Sequence, residues 1–354
     1  MSVQHPRRTH PRVISAAIAD GDHRLKFEKI RLGAPRRNEV GVHIVACGIC
    51  HTDLSFISPA TVLGHEGAGI VDQVGSAVKS VKPGDHVVLS FQSCGQCDAC
   101  ENNRPADCEH FSTLNFGFSR LDGSSAYPPG ISGHFFGQSS FASYALVTER
   151  NLVKVDKSLP LATLAPLGCG LQTGAGTVMN TLRVKKGDRL LVTGTGAVGM
   201  AAVMAAKMAG AKEIIALDQH QHRRDLALEL GATDVMKTGK ERSLQGTLDY
   251  VIDTAGVSSL DTLGQNALKD GGVMVRLTGA GGATLSRRRK IISVIQGDSV
   301  AQEFIPKMIT LWQAGKFPFD RLLHFYDFEA INQAIEDTGS GKVIKAVLRW
   351  QEYA

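Results

Sequence analysis

RLLVTGTGAVGMAAVMAAKMAGAKEIIALD, residues 189–218, decides the fold. RLLVT is a short β-branched and apolar run, as a buried parallel strand requires. Gly194-Thr195-Gly196-Ala197-Val198-Gly199 follows and opens a helix-length apolar stretch from about Val198 to Ala209. A second strand, EIIALD, ends at Asp218, 19 residues after Gly199. G-x-G-x-x-G alone is a weak signal, and an ordinary glycine-rich turn is its bland reading. Between two strands and followed by an acidic residue at this distance, it predicts a dinucleotide site. The glycines, with Ala197 and Val198, would bring a pyrophosphate against a helix amino terminus. Asp218 would accept from ribose hydroxyls and repel a 2′-phosphate, so NAD is expected rather than NADP. Arg223 and the run RRRK at 287–290 are the features that point the other way.

Strands and helix-length segments alternate from about residue 170. A helix is expected from about Arg223 to Leu230, then the strands LDYVID and GGVMVRLTG. The pattern predicts an α/β fold with a doubly wound parallel sheet. The first half reads differently: VGVHIVACGI, GAGIVDQVG and DHVVLSF are short strands separated by Gly and Pro. KPGD at 82–85 and KKGD at 185–188 share turn chemistry without forming a repeat. Beyond about Gln296 come two helical stretches, SVAQEFIPKMITLWQAG and FEAINQAIEDTG. A last strand, VIKAVLRW, is placed to return to the first part.

The chain has 354 residues, 43% of them apolar, enough for two domains with sizeable cores. With 39 basic and 34 acidic residues the net charge is +5. That is too weak, and too scattered, to imply nucleic acid. The runs HPRRTHPR and RRRK read as solvated surface. No apolar run follows the charges of MSVQHPRRTHPRV, so no secretory signal is expected. LLVTGTGAVGMAAVMAA is uncharged, but Gly and Thr interrupt it, so no membrane span is expected. The expected compartment is the cytosol, where clustered cysteines bind metal rather than pair.

Six of the seven cysteines fall into two patterns. Cys94, Cys97, Cys100 and Cys108 form C-x2-C-x2-C-x7-C, a closed four-thiolate site of the structural zinc type. A ferredoxin cluster run has a shorter last spacing and a proline after the fourth cysteine, and neither occurs here. Cys50 and Cys169 lie far apart, with His65-Glu66 between them in GHEGAG. Two thiolates and an imidazole would leave one position of a zinc open, as catalysis needs. Taken singly, each of these residues also fits a core. The pair is not an H-E-x-x-H protease motif, because Gly69 stands where the second histidine would.

These motifs together resemble the zinc-dependent medium-chain alcohol dehydrogenases over almost the full length. ACGICHTD, VLGHEGAGIV, the four-cysteine lobe, LGCGLQTGAG, VTGTGAVG with Asp218, and GKVIKAVL carry the resemblance. GHFFGQSSFASYA, GCGLQTGAGTVMN and QGDSVAQEFIP are similar to the aryl (benzyl-type) branch. The resemblance implies a GroES-like β-rich catalytic domain of residues 1–170 and 296–354, with a Rossmann domain of residues 171–295 inserted. The active site is expected in the cleft between them. It implies Cys50, His65 and Cys169 as catalytic zinc ligands, Glu66 as an acid behind the metal and Asp53 as the carboxylate that orients His65. Thr52 matches the hydroxyl that starts a proton relay. His51 and Lys345 match cations on the cofactor pyrophosphate, and Thr173 a residue near the nicotinamide. Cys47 has no role in the pattern and is expected in the core.

Two departures stand out. The segment between Cys50 and His65 is shorter than is usual in the family. Ser55 stands where many members end the relay with a histidine. The implied activity is hydride transfer between a primary, aryl or allylic, alcohol and NAD, with two zinc ions per chain. The implied assembly is a homo-oligomer, dimer or tetramer, that acts on small molecules without a membrane or nucleic acid. The alternatives are a dehydrogenase of polyols or other secondary alcohols, or a non-catalytic zinc and nucleotide-binding protein.

Overall fold

A computed structural model of the chain describes residues 9–20, 22, 24–239, 244–278 and 288–351. The amino-terminal basic run lies partly, and Arg287 of the second run wholly, outside the described residues. The chain divides into two compact units, Met1–Cys169 with Leu323–Ala354, and Gly170–Leu322.

The first unit is strand-rich. Its strands are β1 (Arg12–Ala19), β2 (Leu25–Leu32), β3 (Glu39–Gly48), β4 (Glu66–Val74), β5 (His86–Leu89), β6 (Tyr144–Thr148) and β7 (Leu152–Val155). β1 and β2 form an antiparallel pair. The second unit contributes β8 (Arg189–Thr193), β9 (Glu213–Asp218), β10 (Asp234–Lys237), β11 (Leu248–Asp253), β12 (Leu268–Arg276) and β13 (Lys290–Ser293). β14 (Leu323–Asp327) and β15 (Lys345–Arg349) belong to the first unit again.

The larger sheet of the first unit runs β14-β15-β3-β4-β5-β7, with β6 also on β3. Its register places the site. Gly48 at the end of β3 pairs with Glu66 at the start of β4, so Cys50 and His65, just beyond each strand, emerge side by side. β15 closes the other flank of β3, Leu348 against Cys47, so the expected return of the last strand is observed. A Cβ at Gly48 would lie 2.1 Å from Glu66 Oε2, so any larger residue there would have to displace the carboxylate from its place.

The second unit is a fully parallel sheet, β10-β9-β8-β11-β12-β13. β8 and β9 are almost wholly buried, which is why they read as unbroken apolar runs. Helices Ala197–Ala209 and Gln221–Leu230 lie within two residues of the expected starts. In both the KPGD and KKGD turns the aspartate carboxylate accepts from the backbone of the first lysine, at 3.1 Å in Lys82–Asp85 and 2.9 Å in Lys185–Asp188.

One expected boundary moves. Residues 296–322 belong to the second compact unit rather than to the first. The turn at Gln296–Asp298 and helix Ala301–Gln313 pack on helix Gly170–Gly176. Gln172 Nε2 donates to Gln296 Oε1 at 2.8 Å, and Asn180 Nδ2 to Gly297 O at 3.0 Å. The helices themselves were legible; the surface they pack against was not.

Candidate functional site

Cys50 immediately precedes helix His51–Ser55, His65 precedes β4, and Cys169 follows the short turn Ala165–Gly168. Donor atoms of Cys50, His65, Glu66 and Cys169 all lie within 4.8 Å of one another. His65 Nε2 is 3.2 Å from Cys169 Sγ. Asp53, wholly buried, ties the group together. Its Oδ1 lies 2.7 Å from His65 Nδ1 and accepts from Gly64 N, while Oδ2 accepts from Cys50 N at 3.0 Å. With Nδ1–H donated to Asp53, Nε2 is left as the ligating nitrogen. Thr52 is half-buried, its Oγ1 3.7 Å from Cys50 Sγ, and His51 is exposed. Ser55, also exposed, donates from Oγ to His51 O at 3.1 Å.

The electrostatics fit a cation. Burial would lower the His65 value, but Asp53 and the Cys50 sulfur outweigh it and push the imidazole up to about 10. The Cys50 thiol is held well below its ordinary range, chiefly by the hydrogen bond with Cys169. That contact and burial push Cys169 well above it. Without metal the three donors therefore share protons that an ion would displace. Two sulfurs and one nitrogen form a zinc-type set with a side left for substrate.

Behind the donors lies a fully buried ion pair. Lys345 Nζ is 2.9 Å from both Glu66 carboxylate oxygens and also donates to Ile49 O. Burial would lower the Lys345 value, but the Glu66 charge outweighs it and holds the ammonium above lysine's ordinary range. This differs from the expected role of Lys345 as a pyrophosphate contact. The side chain points inward from β15 onto the buried Glu66 carboxylate, because an unpaired ammonium at that depth would be costly.

An aromatic shell surrounds His65, and sequence reasoning assigned it no role. Phe136 stacks on the imidazole at 4.3 Å and 22°, and Phe135 meets it edge-on at 5.5 Å and 83°. Phe56 stacks on Phe116 at 5.1 Å, and Phe118 on Phe135 at 5.6 Å. Phe56, Phe116 and Phe118 are half-buried. The available signal was the phenylalanine content of GHFFGQSSF and the NFGF run at 115–118.

Cys94, Cys97, Cys100 and Cys108 also converge within 4.8 Å. Cys94 and Cys100 sulfurs are 3.9 Å apart, and those of Cys97 and Cys108 4.0 Å. A tetrahedron with Zn–S bonds of about 2.3 Å has edges of about 3.8 Å, so the lobe has the size of a zinc site. Backbone amides of Cys94 and Gln96 donate to the Cys108 and Cys94 sulfurs. Cys47, by contrast, is buried in the core.

In the second unit Gly194 has φ 82° and Gly199 packs so closely that a Cβ would lie 1.9 Å from Gly194 O. Among the described residues nothing lies within 4 Å of a Cβ placed on Gly196, which leaves room for a ligand on that face of the loop. No side chain caps helix Ala197–Ala209, so its first amides suit an anion. Asp218 fastens the loop, accepting from Thr195 N at 2.8 Å, Thr195 Oγ1 at 3.0 Å and His220 N at 2.8 Å. Arg223 is half-buried, and burial lowers its value against the pull of Asp218. Arg224, not anticipated, donates to the carbonyls of Asp218 and Gln219 and braces the end of β9. Thr173 lies half-buried in helix Gly170–Gly176. Among the described residues no helix is long and apolar enough to cross a membrane.

The comparisons agree with this geometry. The family model described as an alcohol dehydrogenase GroES-like domain matches residues 36–157, and the one described as a zinc-binding dehydrogenase matches residues 197–309. A geraniol dehydrogenase from Castellaniella defragrans is 39% identical, covering 92% of this chain and 94% of that protein. An alcohol dehydrogenase zinc-binding domain protein from Burkholderia ambifaria superposes with a TM-score of 0.90 at 42% identity, covering 96% of this chain and 99% of the other. The benzyl alcohol dehydrogenase of Acinetobacter calcoaceticus gives a TM-score of 0.90 at 37% identity, with the same coverage.

Proposed function

We infer that this chain, which belongs to the zinc-dependent medium-chain alcohol dehydrogenase family, interconverts primary aryl or allylic alcohols and their aldehydes with NAD. One observation carries the substrate class: the half-buried rings Phe56, Phe116 and Phe118, which pack on Phe135, the ring that meets the donor His65 edge-on. A flat conjugated body gains buried area against such rings, about 25 cal/mol per Å2, and ring-to-ring contact besides. Ethanol lacks both. The names of the geraniol and benzyl alcohol dehydrogenase relatives support the same two substrate classes.

Cys50, His65 and Cys169 would hold the catalytic zinc, and the four-cysteine lobe a second, structural one. When bound, the open-sided zinc supplies a Lewis acid for the alcohol oxygen, and NAD supplies the hydride acceptor. The residues of the chain do the rest. Asp53 keeps Nε2 of His65 directed at the donor cluster. Thr52 Oγ1, beside Cys50, would accept the alcohol proton as it gives its own hydroxyl proton to water, and with Ser55 unable to serve as a base near neutral pH the proton leaves to solvent. Asp218 sets the cofactor preference by opposing a 2′-phosphate. We extend the reading to a homo-oligomer, as the family resemblance implies, and to the cytosol, as the cysteine usage suggests.

The test is kcat/KM for benzyl alcohol, cinnamyl alcohol, ethanol and a polyol with NAD and with NADP. The conjugated alcohols with NAD should lead. A win for ethanol or the polyol ends the substrate assignment, and NADP use equal to NAD ends the cofactor assignment. Elemental analysis should find two zinc ions per active chain, the catalytic one removed first by chelator with activity falling in step.

A further inference from the structure

The segment His134–Ser140 carries two rings of the aromatic shell, Phe135 and Phe136, and four of its residues have positive φ. His134, Phe136, Gly137 and Ser139 have φ of 62°, 52°, 62° and 51°. Three of these are not glycine, and a Cβ in the left-handed region crowds its own backbone. Buried hydrogen bonds hold them there. Phe135 N donates to Ser139 Oγ at 2.9 Å, Ser139 Oγ to Val62 O at 2.7 Å, and Ser140 N to Gly64 O at 2.8 Å. Asn151 Nδ2 holds Phe136 O at 3.1 Å, and Ala126 N donates to His134 Nε2 at 3.0 Å. Gln138 grips the main chain that leaves the histidine, on both sides of Glu66. Its Nε2 donates to His65 O at 2.9 Å, and its Oε1 accepts from Gly67 N at 3.1 Å.

The product of this arrangement is the position of one ring. Phe136 lies 4.3 Å from the His65 imidazole and nearly parallel to it. Asp53 restrains the imidazole at Nδ1, within the ring plane. A ring on its face restrains it in the other direction, and Phe136 is itself held by its fixed backbone, by burial and by edge-on packing against Phe116 and Phe135, each at 5.1 Å. We propose that His134–Ser140 is a clamp on His65, and that Phe136 is a positioning residue that fixes the direction of Nε2 before a metal arrives. The proposal rests on the reading of His65 as a metal ligand. Preorganised ligands release metal slowly, and outer partners of metal-binding histidines typically change affinity by about 10–100-fold.

The experiment loads the full chain with cobalt(II) and follows release to a chelator, together with the visible cobalt absorption. Phe136→Leu keeps the site apolar but removes the flat face. It should release metal from the Cys50–His65–Cys169 site about tenfold faster and shift the cobalt bands, with release from the four-cysteine lobe unchanged. If the leucine variant does not fold, Phe136→Met makes the same comparison with a more adaptable side chain. Unchanged release and bands in a folded variant, with wild type holding two metals, overturn the clamp alone. A wild type that holds metal only in the four-cysteine lobe overturns the three-donor reading and the clamp with it.

Discussion

The Lys345 ammonium stands 2.9 Å from both carboxylate oxygens of Glu66, 279 positions away along the chain, with neither side chain open to water. Glu66 follows His65 directly, so the pair forms the wall behind the three donors. Its charge is balanced before any metal enters.

Lys345→Met should therefore destabilise the first unit sharply, by about 3–5 kcal/mol, because it strands a buried carboxylate. Adding Glu66→Gln should return much of that loss. Denaturant midpoints of the two single variants and the double variant measure the coupling. A Lys345→Met chain as stable as wild type would mean that the pair is not formed.

Thr52→Ala should lower kcat by about a hundredfold or more, the usual scale for losing a proton-transfer group. Metal content and melting temperature should not move, and Thr52→Ser should recover most of the rate. Near-full activity in the alanine variant would remove Thr52 from the proton path.

His134 carries a pH prediction. Burial, with Arg120 adding to it, lowers its value to about 4 from 6.5. Its Nε2 accepts from Ala126 N, so the folded state needs the neutral ring. As pH falls below 6.5 the unfolded chain binds a proton there and the folded chain does not. Stability is then lost down to about pH 4, by a total on the order of 3 kcal/mol. His134→Asn, which tolerates the left-handed backbone, should flatten the denaturant midpoint between pH 6.5 and 4.5. An unchanged slope would show that another group sets it.

Asp218→Ser should raise the NADP-to-NAD ratio of kcat/KM by about tenfold or more, by removing charge repulsion from a partly desolvated site. Because Asp218 also holds Thr195 N and Oγ1, the KM for NAD should rise as well. Steady-state kinetics with both cofactors separate the two effects. An unaltered ratio would place cofactor choice elsewhere, with Arg223 the first residue to examine.

The strand, glycine loop and helix of residues 189–209 were legible because each step has a local cause: apolar run, left-handed turn, uncapped amino terminus. The cysteine lobe was legible for the same reason, its spacing being the geometry of one ion. What escaped depends on partners distant in sequence. Nothing near Lys345 reveals that β15 faces it toward Glu66, and family likeness pointed it at a phosphate instead. Nor does HFFGQS announce three non-glycine residues at positive φ, since that conformation is imposed by Val62, Gly64 and Asn151. The placement of residues 296–322 failed in the same way: a helical pattern does not name the surface it covers.

The pairing of β15 with β3 also sets an order of events during synthesis. At roughly 5–20 residues per second, at least about 14 s separate the making of Glu66 from that of Lys345. Throughout that interval the acid faces the interior without its cation, and β3 has an open flank. The residues between them, 170–322, form a continuous compact unit that can collapse first. The first unit can therefore complete its buried ion pair and close the flank of β3 only when the last strand has been made.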